Sequence, residues 1–228
     1  LEAARPVWPR CNNFSFHMAW HLGLFHLEQG QHDLVLDLYD REVRPEPTDD
    51  FRDVANAVSL LWRLEQEGVH VGNRWEELRA IARRRRHDTS LMFASLHYLM
   101  ALVAGGDMVA AGELVDEIGT RARDGAGSQS DVAGTVGLAL AETILGLARH
   151  RPVRTALDRL AQATPRLGGS HAQRDVFVRT LAMLAADHGD RAGCERVMAY
   201  RGRLKREDRF AGIVTERLRL AEALPCAS

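Results

Sequence analysis

A short motif that occurs twice is the feature that most constrains how this chain can fold. LFHLEQG, at residues 24–30, returns thirty-seven positions later as LWRLEQEG, at residues 61–68. A repeat of that length is typical of stacked helical hairpins, in which each unit buries its apolar face against its neighbours. The sequence therefore predicts an all-helical repeat protein.

Helical periodicity and turn residues define the individual units. Apolar residues recur every three or four positions along most of the chain, as they do on one face of a helix. Glycine interrupts this pattern at intervals of 38, 38 and 83 residues, at Gly30, Gly68, Gly106 and Gly189. The last interval is close to two periods. In the unit between them, Arg151-Pro152 takes the place of the glycine.

The pattern predicts one domain over residues 1–228, a right-handed α-solenoid of the all-α class. Its five hairpins are expected at about residues 17–45, 51–86, 89–123, 131–165 and 170–204. A glycine-rich stretch at residues 124–130 is expected to connect the third hairpin to the fourth. A last helix at about residues 208–224 is expected to cover the apolar face of the final hairpin, as terminal elements of solenoids do.

The first unit fits the tetratricopeptide pattern. When Gly30 is aligned with the glycine between the two helices of that repeat, Leu22-Gly23 falls on its Leu-Gly pair, Tyr39 on its second-helix aromatic and Pro47 on its closing proline. Later units keep the spacing and lose these residues. Their mean length, about 40 residues, also exceeds the roughly 34 of the standard repeat, so we describe them as tetratricopeptide-like.

Four longer segments resemble the tetratricopeptide repeat protein 38 family: HMAWHLGLFHLEQGQHDLVLDLYDREV, SLLWRLEQEG with NRWEEL, SLHYLMALVAGGD and GGSHAQRDVF. The resemblance covers about residues 13–203. It implies a helical repeat fold in a soluble, mostly cytoplasmic protein whose biochemical role is poorly defined. Members are usually longer, so this chain resembles their C-terminal half. Met18-Ala19 stands where the family has a polar residue or cysteine, which argues against a cysteine-dependent activity there.

Charge and composition favour a cytoplasmic protein without nucleic-acid or membrane partners. Thirty basic and thirty-one acidic residues leave no net field, and no apolar run approaches the roughly 20 residues of a spanning helix. The three cysteines are far apart and odd in number, as expected in a reducing compartment. Lys205 is the only lysine, which suggests a GC-rich bacterial genome. The arginines at 83–86 fit a solvated helix end better than a nucleic-acid patch.

Histidines on the first predicted helix indicate a binding site. His17 and His21 are four residues apart, so their Cβ atoms lie about 5–6 Å apart on one face, a spacing that suits a metal ion. A catalytic zinc needs three protein ligands and only two are evident, so we expect no cofactor and leave a divalent metal open. We predict that His17, Trp20, His21 and Arg174 bind a ligand in the concave groove.

A catalytic cluster is the alternative use of the groove. His171 opens the fifth hairpin, where the helix dipole favours a neutral imidazole, and Asp175 is placed to accept its ring N–H. His97 stands nine residues before Gly106, as His21 stands nine before Gly30. Because the first helices of alternate hairpins can face one another, we expect these histidines to converge.

Two functions from different classes remain open at this point. A scaffold would hold a peptide, a protein partner or a small ligand in the groove, with Arg174 and His17 as polar anchors, and helical repeats favour this use. An enzyme would use His171, Asp175 and His97 for acid–base chemistry on a small molecule. The chain begins at Leu1, which leaves open whether an N-terminal part precedes it, and residues 6–16 leave pairing with a second copy open.

Overall fold

The computed structural model describes residues 5, 8, 14–148, 156–205 and 209–223. Within these residues all regular structure is helical and no strand occurs, which confirms the all-α prediction. The α-helices are α1, Phe14–Glu28; α2, His32–Leu38; α3, Phe51–Gln66; α4, Trp75–Arg84; α5, Met92–Ala104; α6, Met108–Asp124; α7, Ser128–Val132; α8, Leu138–Ala148; α9, Leu157–Ala163; α10, His171–Asp187; α11, Arg191–Leu204; and α12, Arg209–Ala223. The predicted break at Arg151-Pro152, together with Cys11 and Cys226, lies outside the described residues.

The four glycines with the repeat spacing form the same turn. All four have positive φ, between 65° and 79°: Gly30, Gly68, Gly106 and Gly189. After Gly30 the amide of Gln31 donates to the carbonyl of His26, and after Gly68 the amide of Val69 donates to that of Leu64, both at 3.0 Å. This is the bond that closes a helix around a left-handed residue, so the repeated motif encodes a repeated helix end.

Helix ends differ from prediction where side chains supply local hydrogen bonds. The fourth unit begins at Ser128, inside the stretch expected to be a connector, and the Ser130 hydroxyl in its first turn donates to the Ala126 carbonyl at 2.8 Å. A π-helical turn, Ala133–Gly137, then joins α7 to α8. The fifth unit begins at His171 behind a capping box formed by Ser170 and Gln173.

The first helices of successive units pack side by side, and the fifth returns to the second. Helices α1, α3, α5 and α8 make contact in that order, while α10 packs against α3 as well as against α11 and α12. The Trp62 indole of α3 donates to Thr180 of α10 at 2.9 Å, and Arg63 donates to the Ala172 carbonyl at 2.7 Å. This closure sets the start of α10 beside α1 and encloses a pocket between them.

The glycine in the Leu-Gly pair lies at a close helix crossing. A Cβ on Gly23 would be 3.2 Å from Leu60 of α3 and 3.6 Å from Leu38 of α2. Tyr39 is buried at the start of a π-helical turn, Tyr39–Val43, that extends α2. The small residue and the aromatic therefore occupy the packing positions that the sequence suggested for the first unit.

One helix is more apolar than the sequence analysis expected. The continuous helix Ser128–Ala148 is long and apolar enough to cross a membrane, by length and composition alone. Its α8 part packs against α5 and α6 and buries Leu140 and Ile144 completely or nearly so. A helix at the core of a folded domain has the same composition, because both of its faces meet apolar neighbours.

The basic run at residues 83–86 ends α4 and is neutralised locally. Every arginine in it pairs with a carboxylate: Arg83 with Asp107, Arg84 with Asp49, Arg85 with Asp88, and Arg86 with Glu113. This arrangement agrees with the interpretation of the run as a solvated helix end.

Candidate functional site

A pocket of about 340 Å³ lies between α1, α10 and α11. Most of its wall is apolar, formed by Leu24, Phe25, Leu27, Val178, Tyr200 and Leu204. Four of the residues predicted for the site line it: His21, His171, Arg174 and Asp175. The structure thus brings α1 and the start of α10 to one cavity, as the sequence analysis expected of first helices.

Arg63 of α3 supplies a buried positive charge to this pocket. Its side chain is 1% exposed, stacks over the Trp20 ring, and donates to the carbonyls of Ser59 and Ala172 at 3.0 and 2.7 Å. Burial lowers the pKa of Arg63 to about 9, against a smaller opposing effect of Asp175, so the guanidinium stays charged at neutral pH. Among the described residues no carboxylate forms an ion pair with it.

The carboxylates of the pocket are already paired. Asp175 accepts two hydrogen bonds from Arg201, at 2.7 and 3.1 Å, and Glu28 pairs with Lys205. Burial works to raise the pKa of Asp175, but the charge and the hydrogen bond of Arg201 outweigh it and hold that pKa below its usual value. Two cations of the lining, Arg63 and Arg174, have only carbonyls and an imidazole as partners in the described structure, so the pocket carries a local positive excess.

The predicted pairing of His171 with Asp175 is wrong. Asp175 turns to Arg201, and the Nδ1 atom of His171 instead faces Arg174 Nη2 at 3.3 Å. A guanidinium only donates hydrogen bonds, so Nδ1 accepts this one. His171 therefore does not have the geometry of a base oriented by a carboxylate.

The structure places His97 away from the pocket. The side chain is 1% exposed, lies between the rings of Phe93 and Phe177, and donates from Nδ1 to the Phe93 carbonyl at 2.7 Å. Burial lowers its pKa to about 4. It lines none of the cavities described for this fold. His97 and His21 stand at the same distance from a repeat glycine in the sequence, but His97 lies in the core between α5 and α10.

Trp20 and His17 do not share the pocket with His21. Trp20 is fully buried and its indole donates to Ser59 at 2.9 Å, so it supports Arg63 and is not exposed to a ligand. His17 and Asn56 line a separate depression, where His17 Nδ1 lies 3.2 Å from Asn56 Oδ1. The expected convergence of all the histidines is therefore replaced by two neighbouring cavities.

His21 is the histidine of the pocket with the most altered chemistry. Burial, with a smaller contribution from the nearby His17, lowers its pKa and keeps the ring neutral at pH 7. The His17 and His21 ring centroids are 4.7 Å apart, but no group of three or more histidine, cysteine or acidic side chains in the described structure is arranged to hold a metal ion. The pair thus lacks a third ligand of the kind that a catalytic zinc requires.

Sequence reasoning missed the residue that gives the pocket its charge. Arg63 lies in the second copy of the repeated motif, at the position that His26 occupies in the first copy. A charged residue in the apolar stretch VSLLWRL was the available signal, because arginine is seldom fully buried without a specific reason. Tyr200 and Leu204, which were assigned only to a helix, complete the apolar wall.

No protein-family model matches the chain. No solved structure matches it either. The resemblance to the tetratricopeptide repeat protein 38 family stays a prediction, and the function is argued from the pocket itself.

Proposed function

We propose that this protein is a helical-repeat binding module that captures a small amphipathic organic anion in the pocket between α1, α10 and α11. The ligand class is an apolar chain that ends in a carboxylate. The observation that supports this most directly is Arg63, a buried cation of the pocket without an ion-pair partner among the described carboxylates.

The buried charge of Arg63 favours a ligand that carries a carboxylate. An ionised group in an apolar interior is unfavourable unless it is paired and hydrogen-bonded, and carbonyl dipoles compensate it only in part. A ligand carboxylate completes this compensation by charge-assisted hydrogen bonds, which are about twice as strong as neutral ones. His21 and His171 also line the pocket, each next in sequence to a residue that Arg63 contacts, Trp20 or Ala172, and their rings supply further N–H donors.

The rest of the cavity suits an apolar tail. Its volume is in the range of small-molecule sites, and aliphatic and aromatic side chains form the wall beyond the charged end. Phe25 and Leu204 are about half exposed at the rim, at 57% and 48%, so the tail points outward toward them. The depth of Arg63 and the exposure of the rim give the ligand one orientation.

We also propose that the hairpins form an α-solenoid of the tetratricopeptide-like type. The positive φ shared by the repeat glycines and the side-by-side first helices support a stack of hairpins, and a right-handed coil of that stack is part of the proposal. Because α10 packs back against α3, a pocket takes the place of the open groove that an extended superhelix has. This favours a small ligand over a peptide or a protein partner.

Acid–base catalysis remains the second candidate because of one observation. His21 is neutral at pH 7 in a pocket that also holds a cation able to stabilise a developing negative charge, Arg63. An enzyme of this kind would lose turnover and keep binding in a His21→Gln variant. The binding module would show no turnover in either form.

Calorimetric titration with octanoate and with 1-octanol tests the binding function. We expect octanoate to bind at least about tenfold more tightly than the alcohol, since a buried charge pair contributes more than a neutral hydrogen bond. Arg63→Met should abolish this preference and Arg174→Gln should reduce it. Arg83→Gln, which changes an exposed arginine on α4, is the matched control and should leave it intact. Equal affinities for acid and alcohol in the unaltered protein would contradict the proposal.

A further inference from the structure

A second depression adjoins the charged end of the pocket. It has a volume of about 300 Å³ and is lined by Phe14, His17, Arg52, Asp53, Asn56 and Gln173. Unlike the pocket, it has polar side chains at five of its six lining residues. It is part of neither the apolar wall that receives the ligand tail nor the site at Arg63 that binds the ligand carboxylate.

Asn56 makes this depression a site with an unmet hydrogen bond. The residue is 2% exposed, and its Oδ1 accepts from His17 Nδ1 at 3.2 Å. Its Nδ2 is buried and has no hydrogen-bond partner in the described part of the chain. A buried N–H without a partner is unfavourable, so the fold gains when a ligand oxygen accepts from it.

The other polar groups indicate that a neutral acceptor fits best. Gln173 uses Oε1 to accept from the Ser170 amide at 2.8 Å, and this leaves its Nε2 as a donor. Arg52 is held by the carboxylate of Asp50 at 2.9 Å. The buried Asp53 carboxylate accepts from Thr48 at 2.8 Å, and its negative charge disfavours a second anion. A carbonyl oxygen suits this site because it can accept from the N–H donors of Asn56 and Gln173 and carries no full negative charge for Asp53 to repel.

The depression and the pocket are neighbours along α1 and α10. The rings of His17 and His21, one in each cavity, have centroids 4.7 Å apart on adjacent turns of α1. On α10, Gln173 follows Ala172, whose carbonyl accepts from Arg63 at 2.7 Å. On α3, Arg63 reaches back to donate to the Ser59 carbonyl at 3.0 Å, and the Ser59 hydroxyl donates to the Asn56 carbonyl at 3.0 Å, so the Arg63 guanidinium and Asn56 lie about one helical turn apart.

We propose that the ligand is an N-acylated α-amino acid with an apolar side chain and a free carboxylate. This inference rests on the proposed binding function. The side chain occupies the apolar wall, the carboxylate meets Arg63, and the acyl carbonyl accepts from Asn56 Nδ2 in the second depression. Three different substituents on one carbon then occupy three different places, so the site distinguishes the two enantiomers.

The test compares octanoate with the two enantiomers of N-acetyl-2-aminooctanoate by calorimetric titration of the whole protein. We expect the better enantiomer to bind about five- to tenfold more tightly than octanoate, as one satisfied buried hydrogen bond predicts, and the other to bind more weakly. In Asn56→Leu this gain should vanish while the affinity for octanoate stays unchanged. Asn56→Ala, which removes the donor without adding a charge, should lose the gain in the same way if the leucine variant does not fold.

The outcomes separate the two proposals. If octanoate binds but neither enantiomer binds more tightly, the second subsite is refuted and the binding function stands. If neither octanoate nor the acetylated acids bind, both proposals fail. A tripeptide that ends in the same residue distinguishes the sources of this chemistry: a further gain assigns the C-terminus of a peptide, and no gain assigns a free N-acyl amino acid.

Discussion

At the residue scale, Arg63 links the stability of the fold to the chemistry of the pocket. Its guanidinium ties α3 to α10 through the Ala172 carbonyl and at the same time lines the cavity. Its position over Trp20, at 5.9 Å from the ring, adds a cation–π contact in a dry environment. A residue with this double role keeps the charge fixed in one place, which is what selective binding of an acid requires.

The pH dependence of stability should report on the buried His97. Burial lowers its pKa to about 4, whereas the unfolded chain has the ordinary value of about 6.5. Between these values the unfolded state binds more protons, so the free energy of unfolding falls as the pH decreases from about 6.5 to about 4. The full contribution, on the order of 3 kcal/mol, is present at pH 7 and above.

Urea unfolding of the unaltered protein and of His97→Leu at pH 7 and pH 5 measures this contribution. The imidazole donates to a carbonyl that also accepts within its own helix, so leucine leaves no orphaned acceptor. The variant should lose less stability than the unaltered protein between the two pH values. An identical loss in both would show that His97 titrates normally in the folded state.

The residues also show where sequence reasoning stops. The histidines are evident in the sequence, yet their chemistry depends on partners that no spacing reveals. Asp175 was placed correctly near His171 along the helix, but Arg201, twenty-six residues later, takes its carboxylate. The spacing of two side chains on one helix can be predicted from the sequence. Competition for a hydrogen-bond partner by a side chain of a neighbouring helix cannot.

At the scale of elements, the glycine turns carry the repeat. Gly68 has φ of +79° and open space around its Cα, so an alanine there meets only backbone strain. Gly146 lies inside α8 with equally open surroundings and an ordinary helical backbone. The two positions differ in conformation alone, which makes them a matched pair.

Thermal and urea unfolding of the two alanine variants should give changes of opposite sign. Gly68→Ala should destabilise the protein by about 1 kcal/mol, because alanine disfavours the left-handed region. Gly146→Ala should stabilise it by roughly 0.5–1 kcal/mol, because alanine has less backbone entropy to lose in a helix. Equal effects at both sites would contradict the assigned turn.

The elements were more predictable than the site because their signals are local. Glycine spacing predicted breaks at Gly30, Gly68, Gly106 and Gly189, and a helix ends at each of these glycines with positive φ. The start of the fourth unit at Ser128 lies inside a glycine-rich stretch, whose composition favoured a connector. Local chemistry decides where a helix ends, and packing partners decide what its side chains do.

At the scale of the whole molecule, contacts between distant units create the pocket. Lys205 pairs with Glu28, and Arg209 pairs with Glu67 and approaches His32 at 3.1 Å, so the last helices meet the first two hairpins. Phe210 completes the closure between the guanidiniums of Arg179 and Arg201, at 4.0 and 4.9 Å from its ring centroid. In a linear repeat stack each unit meets only its neighbours. Here the return of α10 to α3 places Arg63 at the base of a cavity, a consequence of curvature that no single repeat encodes.

The most direct test of this account is a crystal structure of the protein with 8-bromooctanoate, located by the anomalous signal of bromine. The account predicts the carboxylate within hydrogen-bonding distance of Arg63 and the bromine near Phe25 and Leu204 at the rim. A ligand bound with its carboxylate at the rim and its bromine beside Arg63, or a ligand bound outside this pocket, would contradict it.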